Sequence, residues 1–401
     1  MTETSKRVAG SNAAAGAGLP AAVSAPARIA DPGEQISVEE LQLAARNHGL
    51  PLEALTCDIT PPGLHYLLTH YDMPILDEST WRLRIDGTVE SPLNIDLSEL
   101  RAMPQRTLTV TFECAGNGRA RYEPRAQSQP WLVEAVGTAT WTGVPLARLL
   151  EKAGVRDGAL DVVCTGADHG VERGVEQDYQ RALDLADALD EDVLVAYEMN
   201  GSPLPLQHGF PARLVVPGWY GMAQVKWLTR IEVLAERFDG FQHRAYRLRP
   251  GTERLNGAEG ADGGAEPDGV ALTRIEPRAL LIPPGYPDFY SRTRVVAPGE
   301  VEVSGRAWSG WASVTRVQLT TDGGSTWIDA ELDPEPGELA GSERYAWRRW
   351  RATWLAGPGE YHLGARAQDA SGRVQAVEAP WNRGGFANNS VQRVRVVCQD
   401  R

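Results

Sequence analysis

A cysteine at the end of a predicted strand is the clearest candidate for chemistry. The strand predicted over 107–112 leads into Cys114, and Gly116 and Gly118 follow, where the backbone can approach a bound group closely. Three arginines come next: Arg119, Arg121 and Arg125. Nearby positive charge lowers the pKa of a thiol towards the thiolate, which is both a nucleophile and a soft metal ligand. We therefore expect Cys114 to be reactive or metal-bound; the alternative is a buried structural cysteine.

A second group of basic side chains surrounds a short predicted strand over 212–217. His208, Arg213 and Lys226 could act as three cationic donors for a phosphate-bearing ligand, aided by backbone N–H groups of the Gly- and Pro-rich loop. Solvated surface charge is the alternative. It explains less well why Lys226, one of only three lysines in 401 residues, stands between an aliphatic and an aromatic residue.

A third group contains His65 and His70, just before the first strand. Two histidines at this spacing could bind a metal, although a hydrogen-bonded or solvated histidine is the commoner outcome for either one alone.

Hydrophobic periodicity indicates the elements that position these groups. Ser37 and Glu40 form a capping box at the start of a helix, and alternation predicts strands near 81–85, 107–112 and 160–165. Helices are expected near 144–153 and 181–189. Because helices and strands intermix without a regular βαβ period, the predicted fold class is α+β.

Composition divides the chain into four segments. We expect a disordered tail over 1–36, a catalytic domain over 37–250, a flexible Gly- and acid-rich loop over 251–270, and a β-sandwich over 271–401. The last segment carries short alternating runs separated by turns, and its tryptophans at 350 and 354 are expected in the core.

Charge and composition exclude several classes of protein. The net charge of −13 argues against a nucleic-acid binder, and no window is apolar enough for a membrane span. The four cysteines form no Cys-x-x-Cys pair, which argues against iron–sulfur and c-type haem sites. No leader is visible, so a cytoplasmic location is expected on the sequence as given, with export remaining possible.

Three motifs together resemble the sulfite oxidase family of molybdopterin enzymes. They are Cys-Ala-Gly-Asn-Gly-Arg at 114–119, His-Gly-Phe-Pro-Ala-Arg at 208–213 and Val-Lys-Trp-Leu at 225–228. They precede a predicted sandwich that is similar to the dimerisation domain of that family. The fold expected from this resemblance is a mixed α+β molybdopterin-binding domain followed by an immunoglobulin-like β-sandwich.

The resemblance also implies roles for individual residues. Cys114 would be the protein ligand of molybdenum, Arg119 would bind the substrate anion, and Tyr246 would lie near the oxo group. The residues expected to hold the pterin and its phosphate are His70, Asp168, His208, Arg213, Gln224, Val225 and Lys226.

Two arginines that the family's sulfite-oxidising members carry are absent from this sequence. One would lie in the stretch Leu-Leu-Thr-His at 67–70, and the other would follow the turn at 307–310. Each missing charge-assisted contact would weaken anion binding by about 1.5–3 kcal/mol. The basic residues that could replace them are Arg121, Arg125, Arg306 and His169.

The resulting prediction is a molybdopterin oxidoreductase that has no haem of its own. It would oxidise sulfite or a related sulfur compound, pass electrons to a separate acceptor such as a cytochrome or oxygen, and form a homodimer. The alternative substrates are a sulfane, a sulfoxide or nitrate. More distant alternatives are a cofactor-free hydrolase that uses Cys114 as nucleophile, and a non-catalytic binding protein.

Overall fold

A computed structural model gives the fold of most of the chain. It describes residues 29–30, 33, 36–172, 174–249, 269–334 and 343–400. The predicted disordered tail (1–36) and flexible loop (251–270) lie outside the described residues, apart from 29–30, 33, 36, 269 and 270. Within the described residues, no helix is long and apolar enough to cross a membrane.

Strands dominate both halves of the described chain. The α-helices are α1 (Val38–Arg46), α2 (Leu97–Arg101), α3 (Leu146–Ala153), α4 (Leu185–Ala188) and α5 (Phe241–Ala245). The strands before residue 250 are β1 (Leu83–Gly87), β2 (Leu93–Ile95), β3 (Arg106–Glu113), β4 (Val136–Pro145), β5 (Asp161–Glu172), β6 (Val175–Asp184), β7 (Leu194–Met199), β8 (Ser202–Pro203), β9 (Arg213–Val215), β10 (Leu228–Leu234) and β11 (Arg247–Leu248). The later strands are β12 (Val270–Ala271), β13 (Arg278–Leu281), β14 (Tyr286–Pro287), β15 (Arg294–Val296), β16 (Gly299–Trp308), β17 (Val314–Thr320), β18 (Ile328–Asp329), β19 (Glu331–Leu332), β20 (Arg348–Ala356), β21 (Gly359–Asp369) and β22 (Val394–Cys398).

Among the described residues, the first half contains two five-stranded sheets, and its last strand, β11, forms a separate two-stranded sheet with β12. One has the order β2-β1-β10-β5-β6, in which β1 and β10 are parallel and the other pairs are antiparallel. The second has the order β3-β4-β7-β8, and β9 also pairs with β7. Helix α3 packs between elements of both sheets, with Leu149 and Leu150 fully buried in the main core. The predicted mixture of strands and helices is therefore present, but strands prevail.

Two of the three helix predictions are confirmed, and the third is wrong in part. The helix expected near 144–153 is α3, and the predicted capping box at α1 is present, with both hydrogen bonds formed between Ser37 and Glu40. The helix expected over 181–189 is wrong for its first four residues, which complete β6. That strand pairs with β5 and buries alternate side chains, Tyr179, Arg181 and Leu183, so the sheet overrides the local helical pattern.

The second half consists of two sheets packed around a shared core. Their orders are β13-β16-β20-β19 and β14-β15-β22-β21-β17-β18. Trp350 and Trp354 on β20 lie in this core with Val317 and Leu363 of the other sheet. The prediction that the two tryptophans are core residues is confirmed.

Candidate active site

A cavity of about 700 Å³, including its open mouth, lies between the ends of strands in the first half of the chain. Eight of the ten site residues expected from the sequence line it: His70, Cys114, Asp168, His208, Arg213, Gln224, Lys226 and Tyr246. Arg119 and Val225 do not line it.

The loop after β3 is folded tightly around Cys114. The N–H of Cys114 donates to the carbonyl of Ala135 on the neighbouring chain segment (2.9 Å), and its own carbonyl accepts from Asn117 N–H (2.9 Å). Gly118 has φ +91°, which a residue with a side chain rarely adopts. Of the two glycines whose lack of a side chain permits a positive φ, Gly118 adopts one and Gly116 does not.

The charge state of Cys114 differs from the sequence-based expectation. Burial raises the pKa of its thiol, although Arg119 and the N–H of Gly116 act in the opposite direction. Arg125 forms a salt bridge with Glu40, and Arg121 donates to the carbonyl of Ser390, so neither guanidinium is on the cavity wall. In the protein alone Cys114 is therefore a thiol, and a bound metal ion would be needed to deprotonate it.

Two cationic side chains also line the cavity, the buried Arg213 and the partly buried Lys226. Arg213 donates to the carbonyls of His208 (2.8 Å) and Gln224 (3.0 Å), and the ammonium of Lys226 donates to the carbonyls of Leu68 and Gln207, both at 3.0 Å. Neither cation has a carboxylate within 4.0 Å among the described residues. Unpaired buried cations are costly, so this wall is suited to an anionic ligand.

The three basic residues do not carry three positive charges. Burial lowers the pKa of His208 to about 2, so its ring is neutral. Burial and the charge of Arg213 lower the pKa of Lys226 to about 7. The expectation of three cationic donors is thus wrong for His208, because imidazole desolvation and two neighbouring cations both disfavour its charged form.

The remaining residues predicted to bind the cofactor differ in whether their polar atoms already have hydrogen-bond partners. Burial raises the pKa of Asp168 to about 6, and its Oδ1 has no hydrogen-bond partner among the described residues. His70 Nε2 lies 2.7 Å from a carboxylate oxygen of Glu172. The amide of Gln224 is held by Val216, and the backbone of Val225 bonds within the protein.

Arg119 and Tyr246, the two predicted catalytic residues, both pack against the phenyl ring of Phe386. The Arg119 guanidinium donates to the carbonyls of Gln129 and Gly384, both at 3.2 Å, and lies 5.2 Å from the centre of the Phe386 ring. The Tyr246 ring is 5.1 Å from that of Phe386 and faces the cavity. Arg119 therefore lies behind the wall that Tyr246 helps to form.

Sequence reasoning missed several lining residues. Tyr179 lines the cavity and donates its hydroxyl to the carbonyl of Met222 (2.7 Å). His65, which the sequence pairs with His70 as a possible metal ligand, also lines the cavity, and its buried Nε2 has no partner among the described residues. Tyr179 belongs to the part of β6 that adjoins the wrongly predicted helix; alternation of buried residues along 175–184 was the signal that could have found it.

The cavity wall is anchored by the second half of the chain. Glu113, the residue before Cys114, forms a salt bridge with Arg278 (2.8 Å), and each side chain is 1% exposed. The indole N–H of Trp308 and the amide of Asn117 also donate to this carboxylate, at 2.8 and 3.1 Å. Of the four residues considered as replacements for the missing arginines (Arg121, Arg125, Arg306 and His169), none lines the cavity.

These residues fit a molybdopterin cofactor. The cavity presents a thiol that can ligate a soft metal, buried unpaired cations for a phosphate, and an orphaned carboxylate oxygen for an N–H donor. Such a donor set belongs to a large polar anion rather than to an apolar ligand.

Comparisons with known proteins agree with this fit. Residues 70–242 match the model of the oxidoreductase molybdopterin-binding domain, and residues 287–399 match that of the Mo-co oxidoreductase dimerisation domain. The fold and the cavity therefore define a molybdopterin oxidoreductase.

Individual relatives narrow the class to a family. The sulfite oxidase of Arabidopsis thaliana is 32% identical, covering 84% of this chain and 87% of that protein. Mitochondrial sulfite oxidase of Mus musculus is 34% identical over 84% of this chain and 61% of that protein, so this chain spans about three-fifths of its length. The chain belongs to the sulfite oxidase family.

Two further relatives differ in their named substrates. Nitrate reductase [NADH] 1 of Arabidopsis thaliana is 32% identical, covering 85% of this chain and 38% of that protein. The crystal structure of the sulfane dehydrogenase SoxCD from Paracoccus pantotrophus superposes with a TM-score of 0.71 at 26% identity, covering 88% of this chain and 86% of that one. The family is thus established, and a cofactor-free cysteine hydrolase is not favoured.

Proposed function

We propose that the protein is a molybdenum-cofactor oxidoreductase that oxidises sulfite, or a related sulfur oxyanion, with a separate electron acceptor. The supporting observation is that one cavity contains both the Cys114 thiol and the unpaired cations Arg213 and Lys226. The reaction converts sulfite and water to sulfate, two protons and two electrons. The acceptor, a cytochrome or oxygen, receives the electrons.

The chain's own residues would bind and orient the cofactor. Bound molybdenum would supply the oxygen-transfer and two-electron chemistry. Cys114 would hold the metal, while Arg213 and Lys226 would hold the phosphate of the pterin. Asp168 Oδ1 would accept an N–H of the pterin, and His70 would form a hydrogen bond to the cofactor from a ring that Glu172 orients. His208 would contribute as a neutral donor or acceptor, and the backbone near Gln224 and Val225 would shape the wall.

Arg119 and Tyr246 would act at the substrate end of the cavity. Tyr246 faces the cavity and can donate a hydrogen bond to an anion, since burial raises its pKa and keeps the phenol protonated. Arg119 would counter the substrate's charge from behind the wall, where it already opposes the rise in the pKa of Cys114.

A sulfane is the second candidate substrate. The likeness to the structure of a sulfane dehydrogenase supports it, as does the absence of two arginines that the sulfite-oxidising members carry. A sulfoxide and nitrate remain further alternatives within the same class of enzyme.

We also propose that the second half of the chain is an immunoglobulin-like sandwich through which two copies associate. Its two sheets around a shared core and its match to a dimerisation domain support this proposal. Light scattering at micromolar concentration should give twice the mass of the chain, and a monomer would contradict the homodimer.

An anaerobic titration tests the proposed reaction. Molybdenum-loaded protein is titrated with sulfite while the thiolate-to-metal absorption is followed. We expect bleaching by one sulfite, two electrons, per site, and loss of that absorption in Cys114→Ser. Cys164→Ser is the matched control, because Cys164 is a buried cysteine that does not line the cavity. Bleaching by dithionite but not by sulfite would exclude sulfite as the substrate.

A further inference from the structure

An alternating stack of cations and aromatic rings lies behind the substrate end of the cavity. Arg119 stands 5.2 Å from the Phe386 ring, Phe386 is 5.1 Å from Tyr246 with 34° between the ring planes, and Arg181 stands 5.4 Å from the Tyr246 ring centre. Each guanidinium therefore contacts one ring of the same aromatic pair, Arg119 the phenyl ring and Arg181 the phenol.

Arg181 is buried without a counter-ion. Its side chain lies in a residue that is 7% exposed, and one Nη donates to the carbonyl of Gln242 at 2.8 Å. Its Nε has no hydrogen-bond partner, and no carboxylate lies within 4.0 Å of it among the described residues. A guanidinium in this state is costly unless an anion compensates its charge.

Strand geometry places Arg181 on the same face of β6 as Tyr179, which lines the cavity. Arg181 follows Tyr179 by two residues on β6, so the two side chains share one face of the strand. Tyr179 and Tyr246 both line the cavity, and Arg181, which does not line it, lies 5.4 Å from the centre of the Tyr246 ring. Burial lowers the pKa of Arg181, but its guanidinium remains the charged group facing the two phenols.

We propose that Arg181 is a specificity-determining residue that supplies, from behind Tyr246, a second positive charge to the substrate end of the cavity. It acts as a positioning residue: it holds the phenol of Tyr246 by stacking, and its field favours an oxyanion of sulfur over a neutral sulfur compound. This inference rests on the proposed function. Arg181 would supply positive charge to a cavity that lacks the two arginines expected in sulfite-oxidising members.

The test measures anion binding separately from turnover. Molybdenum-loaded wild type, Arg181→Met and Arg181→Lys are titrated calorimetrically with sulfate, the product anion, and sulfite kinetics are then recorded. Arg294→Met is the control, since Arg294 is also buried and bonded to backbone carbonyls but lies in the second half of the chain, away from the cavity.

We expect Arg181→Met to raise the sulfate dissociation constant and the KM for sulfite about 10-fold, with kcat within about 3-fold of wild type. Arg181→Lys keeps the charge but not the planar stacking surface, so it should lose clearly less affinity than Arg181→Met. Arg294→Met should stay within about 3-fold of wild type. A merely structural role would lower molybdenum content and Tm without this dependence on charge.

Two results would overturn the inference. One is unchanged sulfate affinity in Arg181→Met, and the other is an equal loss in Arg181→Lys. A wild-type protein that binds no sulfate would overturn it as well. If wild type binds sulfate but sulfite does not reduce the metal, the proposed substrate fails, whereas the sulfate titrations still decide the role of Arg181.

Discussion

Removing Arg278 should destabilise the protein through the carboxylate beside Cys114. Arg278 and Glu113 are each 1% exposed, and their salt bridge joins β13 to the end of β3. Breaking a buried pair by deleting one partner costs about 3–5 kcal/mol, because the other charge remains buried. In Arg278→Met, Glu113 keeps its hydrogen bonds from Trp308 and Asn117, so we expect a loss near the lower end, about 3 kcal/mol at pH 8.

The loss should depend on pH in a defined direction. Burial already holds the pKa of Glu113 above its ordinary value while Arg278 lowers it, so the pKa rises further in the variant. A carboxyl whose folded pKa exceeds its unfolded value binds its proton more readily when folded, and the unfolding free energy then falls as pH rises through that interval. Arg278→Met should therefore be closer to wild type as the pH is lowered from 8 towards the ordinary pKa of a carboxyl group.

Urea unfolding followed by tryptophan fluorescence measures this effect. The matched control is the double variant Glu113→Gln/Arg278→Met, which removes the stranded charge together with its partner and should recover most of the lost stability. A loss below about 1 kcal/mol for Arg278→Met at pH 8, or no recovery in the double variant, would refute the assignment of a stabilising pair at this position.

Two further predictions concern the cavity and its loop. Sulfate binding to the cofactor-free protein, measured by calorimetry, should weaken as the pH rises from 6 to 8. Over this range Lys226 loses its proton near its pKa of about 7, and Asp168, with a pKa of about 6, gains negative charge. Lys226→Met should remove most of this pH dependence. Gly118→Ala should lower the unfolding free energy by about 1–3 kcal/mol, since φ is +91° and the added methyl would lie 2.6 Å from the carbonyl oxygen of Asn388. Gly372→Ala has a similar φ of +87° but no atom within 4 Å of the added methyl, so in denaturant unfolding it should lose clearly less; an equal loss would show that the contact with Asn388 is irrelevant.

Short sequence motifs predicted those parts of the site that are formed by residues close together in the chain. The capping box, the strand leading into Cys114 and the left-handed Gly118 depend on residues close together in the chain. The cavity also brings together most of the basic and acidic residues that the motifs indicated. Each of these inferences follows from turn chemistry or from residue order, which the sequence carries directly.

Local sequence signals could not predict the charge states of the site residues or their contacts with residues distant in the sequence. Neutral His208 and protonated Cys114 follow from burial, which depends on how segments distant in sequence pack together. Arg181 was hidden because the segment 181–189 has the composition of a helix, and only pairing with β5 makes its first part a strand. Sequence order gave no reason to connect Glu113 with Arg278.

The cysteine loop depends on the second half of the chain at several points. The carbonyl of Ala115 accepts from Ala387 N–H (2.8 Å), that of Gly118 accepts from the amide of Asn388 (2.9 Å), and that of Gly384 accepts from Arg119. With the ion pair at Glu113, these contacts cover one side of the loop, while the cavity opens on the other. Composition suggests a domain boundary near 251–270. Residues from both sides of this boundary are nevertheless in contact around the cysteine loop, so the boundary does not separate the two halves in space. Because backbone donors and acceptors from the later residues fix the loop, the geometry of Cys114 is a property of both halves, and exchanging the second half for that of a relative would change the metal site even if every cavity-lining residue were kept.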